Sequence, residues 1–323
     1  MRILVTGGAG FIGSQFVRDL LDGDRPGFED AGVTVLDKLT YAGNLANLAG
    51  YDGYRFVRGD IADPAVLAGV MPGTDVVVNF AAETHVDRSI VDSAAFVRTN
   101  VLGVQALLEA ARAAGVTTFL QVSTDEVYGS IPSGSWPETD PPRPNSPYAA
   151  AKAGADLLCL AYHRTYGMDV RVTRCSNNYG PFQFPEKVIP LFVTNLIDGL
   201  PVPLYGDGLN VRDWLHVADH CRGVRLVLAK GSPGEVYNIG GGTELTNREL
   251  TGLLLDACGA DWSRVRQVAD RPGHDRRYSV DITKIRALGY APEVDFADGL
   301  ARTVRWYRDH RAWWEALRTA PAR

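Results

Sequence analysis

Residues 122–129 read Val-Ser-Thr-Asp-Glu-Val-Tyr-Gly, an apolar run that ends in a hydroxyl residue, Thr124, and two adjacent carboxylates, Asp125 and Glu126. Farther along, Tyr148 and Lys152 stand four apart in a helical pattern, so they share a face, and Pro147 fits the first helical turn. An ammonium beside a phenol stabilises the phenolate and makes a tyrosine usable as a base near neutrality. Of two neighbouring acids, like-charge repulsion can push one pKa up, so that one gives a proton while the other takes one. This set of residues can move protons in two directions while a third group is oxidised.

The oxidant needs a seat, and the N-terminus offers one. Residues 2–6 form a short β-branched run, and Gly7, Gly10 and Gly13 follow in a GxxGxxG spacing, not the commoner GxGxxG. Phe11, Ile12, Phe16, Val17, Leu20 and Leu21 then recur with helical period. Strand, glycine turn and helix let the backbone approach a pyrophosphate at the positive end of a helix. A second strand, 33–37, follows a polar loop at 22–32 and ends in Asp37, where a ribose-binding carboxylate belongs. A carboxylate there accepts the adenosine 2'-hydroxyl and repels a 2'-phosphate, which favours NAD over NADP, with Lys38 the charge that works against this preference.

Strands are expected at 54–59, 75–80, 117–123 and 170–174, alternating with helices at 63–70, 94–114 and 146–166. That alternation predicts α/β architecture, a doubly wound parallel sheet of Rossmann type. Ligands in such sheets lie beyond the carboxyl ends of the strands. Asp60 with Ile61, Ala81 to Thr84, and Thr124 to Glu126 all fall at such ends. Past Arg174 we expect a loop at 177–187, helices at 188–198, 218–229, 247–258 and 295–314, and strands at 202–205, 211–217 and 235–239. This predicts an NAD-binding domain, 1–175, and a smaller mixed α/β lobe, 176–323, with some exchange of chain between them.

Composition removes other classes. A net charge of −5 argues against nucleic acid, whose binders carry a basic excess. The four cysteines show no CxxC spacing, so free thiols in a reducing cytoplasm and no metal site are expected. No apolar run approaches the length of a membrane span, and no signal peptide is evident.

The order of glycine turn, Asp37, Thr124 and the Tyr148/Lys152 pair resembles the extended short-chain dehydrogenase/reductase family. The stretches 81–89, 124–129, 177–181, 185–187 and 271–275 are similar to its dehydratase branch that acts on dTDP-glucose, over essentially the whole chain. The Thr-Asp-Glu triplet discriminates most, since nucleotide-sugar epimerases of the family have no acid pair there. Thr84 stands where a serine is usual, and Ala151 where many relatives have serine. The resemblance implies a homodimer packed through helices 94–114 and 146–166. It implies NAD contacts from Gly7, Gly10, Phe11, Ile12 and Gly13, from Asp37, Lys38, Leu39 and Thr40, and from Asp60 and Ile61. Further contacts are implied for Phe80, Ala81, Ala82, Glu83, Thr99, Tyr148, Lys152 and Asn178. For the nucleotide sugar it implies Thr84, Thr124, Asn177, Val188, Pro203, Tyr205, Asn247, His274 and Tyr278, although His274 also reads as a satisfied loop histidine. A diphosphate on an acidic protein needs local cations, and Lys187, Arg212 and Arg271 are placed there because guanidinium binds phosphate bidentately.

The expected reaction is C4 oxidation by NAD, with Tyr148 removing the proton of the 4-hydroxyl and Thr124 hydrogen-bonded to the same oxygen. Removal of the C5 proton by Glu126, protonation of the leaving 6-hydroxyl by Asp125 and return of hydride to C6 follow. A 4-epimerase would not need Asp125 and Glu126. A dehydratase for another nucleotide sugar (UDP-, CDP- or GDP-linked) and a non-catalytic NAD-binding regulator are the other readings.

Overall fold

The computed structural model describes residues 1–23 and 27–319, so the expected 22–32 loop lies partly outside the described residues. Seven parallel strands form the main sheet in the order β10-β6-β5-β4-β1-β2-β3. They are β1 (Arg2–Thr6), β2 (Gly32–Asp37), β3 (Tyr54–Arg58), β4 (Val76–Asn79), β5 (Thr118–Thr124), β6 (Val170–Cys175) and β10 (Val236–Ile239). Four of these, β1, β4, β5 and β6, are buried along nearly their whole length, as strands covered on both faces must be. Across β1, β4 and β5 the buried side chains of Thr6, Asn79 and Gln121 form one hydrogen-bonded row, with Asn79 Nδ2 donating to Gln121 Oε1 at 2.7 Å. That row fixes the register just beneath the carboxyl ends, where a slip would misplace every functional group.

One face carries α1 (Phe11–Leu21) and α8 (Val217–Lys230), and the other α2 (Pro64–Val70), α5 (Val104–Ala114) and α6 (Pro147–Tyr166). Asp63 caps α2 and Ser146 caps α6, each followed by proline at the first helical position. Short helices α3 (Val86–Val91) and α4 (Ala94–Val97) lie before α5. The expected helix at 94–114 runs unbroken but is not α-helical throughout. A π-helical turn, Arg98–Gly103, separates α4 from α5 and brings Asn100 to the backbone of Glu83. Such bulges occur where a helix is bent to serve a site.

The expected 177–187 loop begins with a strand, β7 (Asn177–Tyr179), which pairs with β9 (Val211–His216), itself joined by β11 (Glu244–Thr246). A separate pair is formed by β8 (Val202–Tyr205) and β12 (Val265–Val268). Helices α7 (Val188–Ile197), α9 (Asn247–Cys258), α11 (Phe296–Asp309) and α12 (Arg311–Thr319) enclose a second core around Tyr179, Phe192, Trp214, Tyr307 and Trp314, while α10 (Thr283–Ala287) returns to the main sheet beside β10. The expected helix 295–314 is two helices, broken at His310, which leaves α-helical geometry. No helix among the described residues is long and apolar enough to cross a membrane.

Candidate active site

A cleft of about 440 Å³ runs along the carboxyl ends of the strands and on between the main sheet and the second core. Every site residue expected from the sequence lines it, with the exception of Leu39. Leu39 takes a left-handed conformation (φ 54°) and donates its N–H to Asp37 Oδ1 at 2.8 Å. It shapes the turn that presents Asp37 and does not reach the cleft.

At the β1 end, the glycine turn is set by close approach. A Cβ on Gly7 would lie 2.6 Å from the Ala81 nitrogen, and one on Gly13 only 2.2 Å from the Gly7 carbonyl oxygen. Only glycine lets the turn and α1 come this close, leaving the first amides of α1 to face an anion. Asp37 accepts from the amides of Leu39 and Ala9, and burial raises its carboxyl while those two amides pull it back. Lys38 Nζ is 2.6 Å from Asp60 Oδ2, so the charge that would have favoured a 2'-phosphate is already paired. Glycines that any side chain would obstruct, together with a carboxylate at the second strand end, fit the adenosine diphosphate half of NAD.

Thr124 ends β5 and caps a 3-10 turn, Asp125–Tyr128: its Oγ1 accepts from Glu126 N at 3.2 Å and donates to Asp125 Oδ1 at 3.2 Å. Asp125 is buried, and its Oδ2 has no hydrogen-bond partner among the described residues. Burial first, then the Glu126 charge and that of Asp213, hold the Asp125 carboxyl well above the usual range. Burial also raises Glu126, but Arg271, Lys187 and Arg212 pull it back. The two acids thus stand in different surroundings, Asp125 with carboxylates and Glu126 with cations as the leading charged neighbours.

Ser146 caps α6 and so sets where Tyr148 and Lys152 point. Burial raises the Tyr148 phenol well above its ordinary value and the Glu126 charge adds to this, while a hydrogen bond with Thr124 works the other way. Lys152 donates to the Val122 carbonyl at 2.6 Å; burial lowers its ammonium and the Asp156 charge supports it.

On the far side of the cleft, Lys187 donates to the Thr84 carbonyl at 2.8 Å. Arg212 lies over the Tyr278 ring at 4.0 Å and donates to the Asp275 carbonyl. Arg271 reaches Asp87 at 3.3 Å, and its Nε is buried without a partner among the described residues. Asn177 Oδ1 is likewise unpartnered. Asn178 Oδ1 accepts from His220 Nδ1 at 3.0 Å, and its Nδ2 donates to the Ser176 carbonyl. Val188, Pro203, Tyr205 and Asn247 complete this wall, and His274 stands in it with Nδ1 2.6 Å from Asp270.

The family described as GDP-mannose 4,6 dehydratase matches residues 4–303. A dTDP-glucose 4,6-dehydratase of Streptomyces antibioticus is 66% identical, covering 100% of this chain and 97% of its own length. The chain belongs to the dTDP-glucose 4,6-dehydratases of the extended short-chain dehydrogenase/reductase family. A crystal structure of the Streptomyces venezuelae dTDP-glucose 4,6-dehydratase, solved with NAD bound, superposes with a TM-score of 0.97 at 66% identity over 98% of this chain and all of that one. A UDP-glucose 4-epimerase of Thermotoga maritima shares the fold at TM-score 0.89 and 35% identity, over 96% of this chain and 99% of that one.

Sequence reasoning did not single out several groups that stand at or behind the walls of this cleft. Tyr41 donates to Glu186 Oε1 at 2.9 Å, Arg88 lies over the Tyr41 ring at 3.7 Å, and Arg88 and His85 both approach Glu186 Oε2. The imidazole of His85 is brought down to about 4 by burial, with Lys187 the next cause. Asp213, in an Arg-Asp-Trp run on β9, accepts from Ser176 Oγ and from the amides of Gly241 and Thr243, and its charge reaches Asp125. A buried aspartate amid apolar strand residues was the available signal for Asp213, whereas nothing local marks Tyr41.

Proposed function

We propose that this protein dehydrates dTDP-glucose to the 4-keto-6-deoxy sugar, using NAD as a recycled cofactor. The observation that carries the reading is the Asp125/Glu126 pair on one turn of the cleft that Tyr148 also lines, with carboxylates around Asp125 and cations around Glu126. An epimerase needs no such pair.

The phosphates of NAD would lie on the amides opened by Gly7, Gly10 and Gly13, and its ribose on Asp37. When bound, NAD supplies a reversible hydride acceptor. Tyr148 takes the proton of the sugar 4-hydroxyl while Thr124 hydrogen-bonds that oxygen. The resulting ketone acidifies C5, and Glu126 removes the C5 proton. Asp125 protonates the departing 6-hydroxyl, and water leaves. Glu126 then returns a proton to C5 as C6 is reduced, so the sequence is redox-neutral. Lys187, Arg212 and Arg271 hold the diphosphate, and the sugar lies between the main sheet and the second core.

The test is mass spectrometry of dTDP-glucose incubated with purified protein in heavy water, with no NAD added. Loss of one water and gain of deuterium at C5 are expected, because Glu126 exchanges its proton with solvent. Unchanged sugar would sink the reading, and product without deuterium would remove Glu126 as the C5 base.

The division of labour extends to the chain as a whole: residues 1–175 serve the cofactor and 176–323 the nucleotide sugar, with β10 and α8 lent back to the first. The working form is a cytoplasmic homodimer, associated through the region of α4 to α6. Val91 is 90% exposed, Leu102 and Leu157 each 57%, and Val97 47%, an apolar set on helices that pack together. Sedimentation at the mass of one chain would rule the dimer out.

A further inference from the structure

Two walls of the cleft meet beside its cofactor half. The turn after β2 begins at Asp37 and runs on through Tyr41, and it is pinned to the glycine turn by Asn44, whose amide donates to the Ala9 carbonyl at 3.0 Å. Facing it from the second core, the segment before α7 carries Phe184 and Glu186, the latter 145 residues beyond Tyr41. The Tyr41 phenol donates to Glu186 Oε1 at 2.9 Å, and its ring meets the Phe184 ring edge-on at a centroid distance of 5.3 Å. Arg88 of α3 adds a third side. Its guanidinium lies over the Tyr41 ring at 3.7 Å, and its Nη2 is 3.4 Å from Glu186 Oε2, which has no hydrogen bond among the described residues.

These groups are layered from solvent inward. The Arg88 side chain is 44% exposed, whereas those of His85 and Glu186 are 19% and 12% exposed and line the cleft together with Phe184. Tyr41 and Arg88 stand behind that lining. Burial and the Glu186 charge raise the Tyr41 phenol above its ordinary value, so it remains a donor. His85, neutral at ordinary pH, adds packing at 3.7 Å rather than charge. Every contact in the group is between protein side chains, so it holds the two walls together without a bond to any ligand.

We infer that Tyr41, Arg88 and Glu186 form a clasp that sets how fast NAD enters and leaves the cleft, keeping the reduced cofactor in place between oxidation at C4 and hydride return to C6. The inference rests on the seating of NAD at the glycine turn and Asp37 given above. A cofactor reduced in one step and reoxidised in a later one has to outlast the elimination between them, and a closed cleft edge ensures this by gating. A residue that touches a ligand changes chiefly the rate of escape. A clasp that touches only protein slows entry and escape alike, and leaves the Kd unchanged.

The test starts from holoenzyme loaded with isotopically labelled NAD, without sugar, and follows exchange against unlabelled NAD. Dilution of the same holoenzyme into a series of NAD concentrations reads the Kd. Tyr41→Phe loses the O–H but keeps the ring, and Arg88→Gln changes a side chain exposed enough that folding does not depend on it. Each should exchange NAD about tenfold faster, the scale of one hydrogen bond to a charged group, with the Kd of the unmodified enzyme. During turnover of dTDP-glucose, both variants should also release reduced nicotinamide into a protein-free filtrate, one for each sugar that leaves oxidised at C4 and unreduced at C6. Exchange as slow in both variants as in the unmodified enzyme overturns the clasp. Faster exchange with a Kd weakened in the same proportion overturns it too, since that marks residues acting on bound NAD itself. Because exchange is read with no sugar present, a protein that shows the acceleration but fails to dehydrate dTDP-glucose keeps the clasp and loses the dehydratase reading.

Discussion

Asp125→Asn is expected to form dehydrated sugar about a hundred- to ten-thousand-fold more slowly, the range for a lost general acid, while still oxidising C4. Asparagine keeps the shape and accepts the Thr124 hydrogen bond, but it has no proton to give the 6-hydroxyl. Tyr148 and Glu126 are untouched, so the first step should proceed. A single turnover with dTDP-glucose should therefore show nicotinamide reduction that persists, with little product. Tyr148→Phe should behave in the opposite way, with almost no reduction, because the step that begins the sequence has lost its base. Persistent reduction in the first variant and its absence in the second together separate the two roles. If Asp125→Asn binds substrate but shows no nicotinamide reduction, or eliminates water at the unmodified rate, the assignment of Asp125 as the acid fails.

The frame that holds these groups was largely legible in the sequence, because it depends on local periodicity. The β1 run, its glycine turn and α1 announce themselves within twenty residues, as do the ends of β5 and the capped start of α6 with Ser146 and Pro147. What escaped depends on distant pairing. A three-residue strand such as β7 carries too little pattern to be seen alone, and exists because Asn177 to Tyr179 pair with Trp214 to His216. The π turn at Arg98–Gly103 lies inside a helical pattern, and only the tie between Asn100 and Glu83 marks what the wider turn serves. At His310 the ring stacks on Trp306 at 4.5 Å, a contact that composition does not reveal. The acids and their roles were readable as a pair, but the surroundings that set them apart were not. Those surroundings are Arg271, Lys187 and Arg212 near Glu126 and Asp213 near Asp125, all supplied by elements far along the chain.

The largest expected loss of stability lies under the site, at the ion pair of Asp156 and Arg174. Arg174 Nε is 2.9 Å from Asp156 Oδ2, with side chains 3% and 0% exposed, and the guanidinium also lies 4.6 Å over the Tyr128 ring. The pair joins α6 to β6, the two elements that carry Lys152 and adjoin the end of β5. Taking charges out of water is costly, and mutual attraction offsets that only while both partners remain. Asp156→Ala should consequently lose about 3–5 kcal/mol, the range for a buried charge left without its partner, read as a fall in the denaturant midpoint. Adding Arg174→Met to that variant should recover much of the loss, since the buried charge is then gone. Asp156→Asn has a second, chemical consequence. The Asp156 charge is the largest influence opposing the effect of burial on Lys152, so removing it should lower the pH at which Lys152 gives up its proton, and activity should decline from lower pH on the alkaline side. A single variant as stable as the unmodified protein would show that Arg174 finds another counter-charge. An unmoved alkaline decline in Asp156→Asn would show that Lys152 does not depend on Asp156 for its charge.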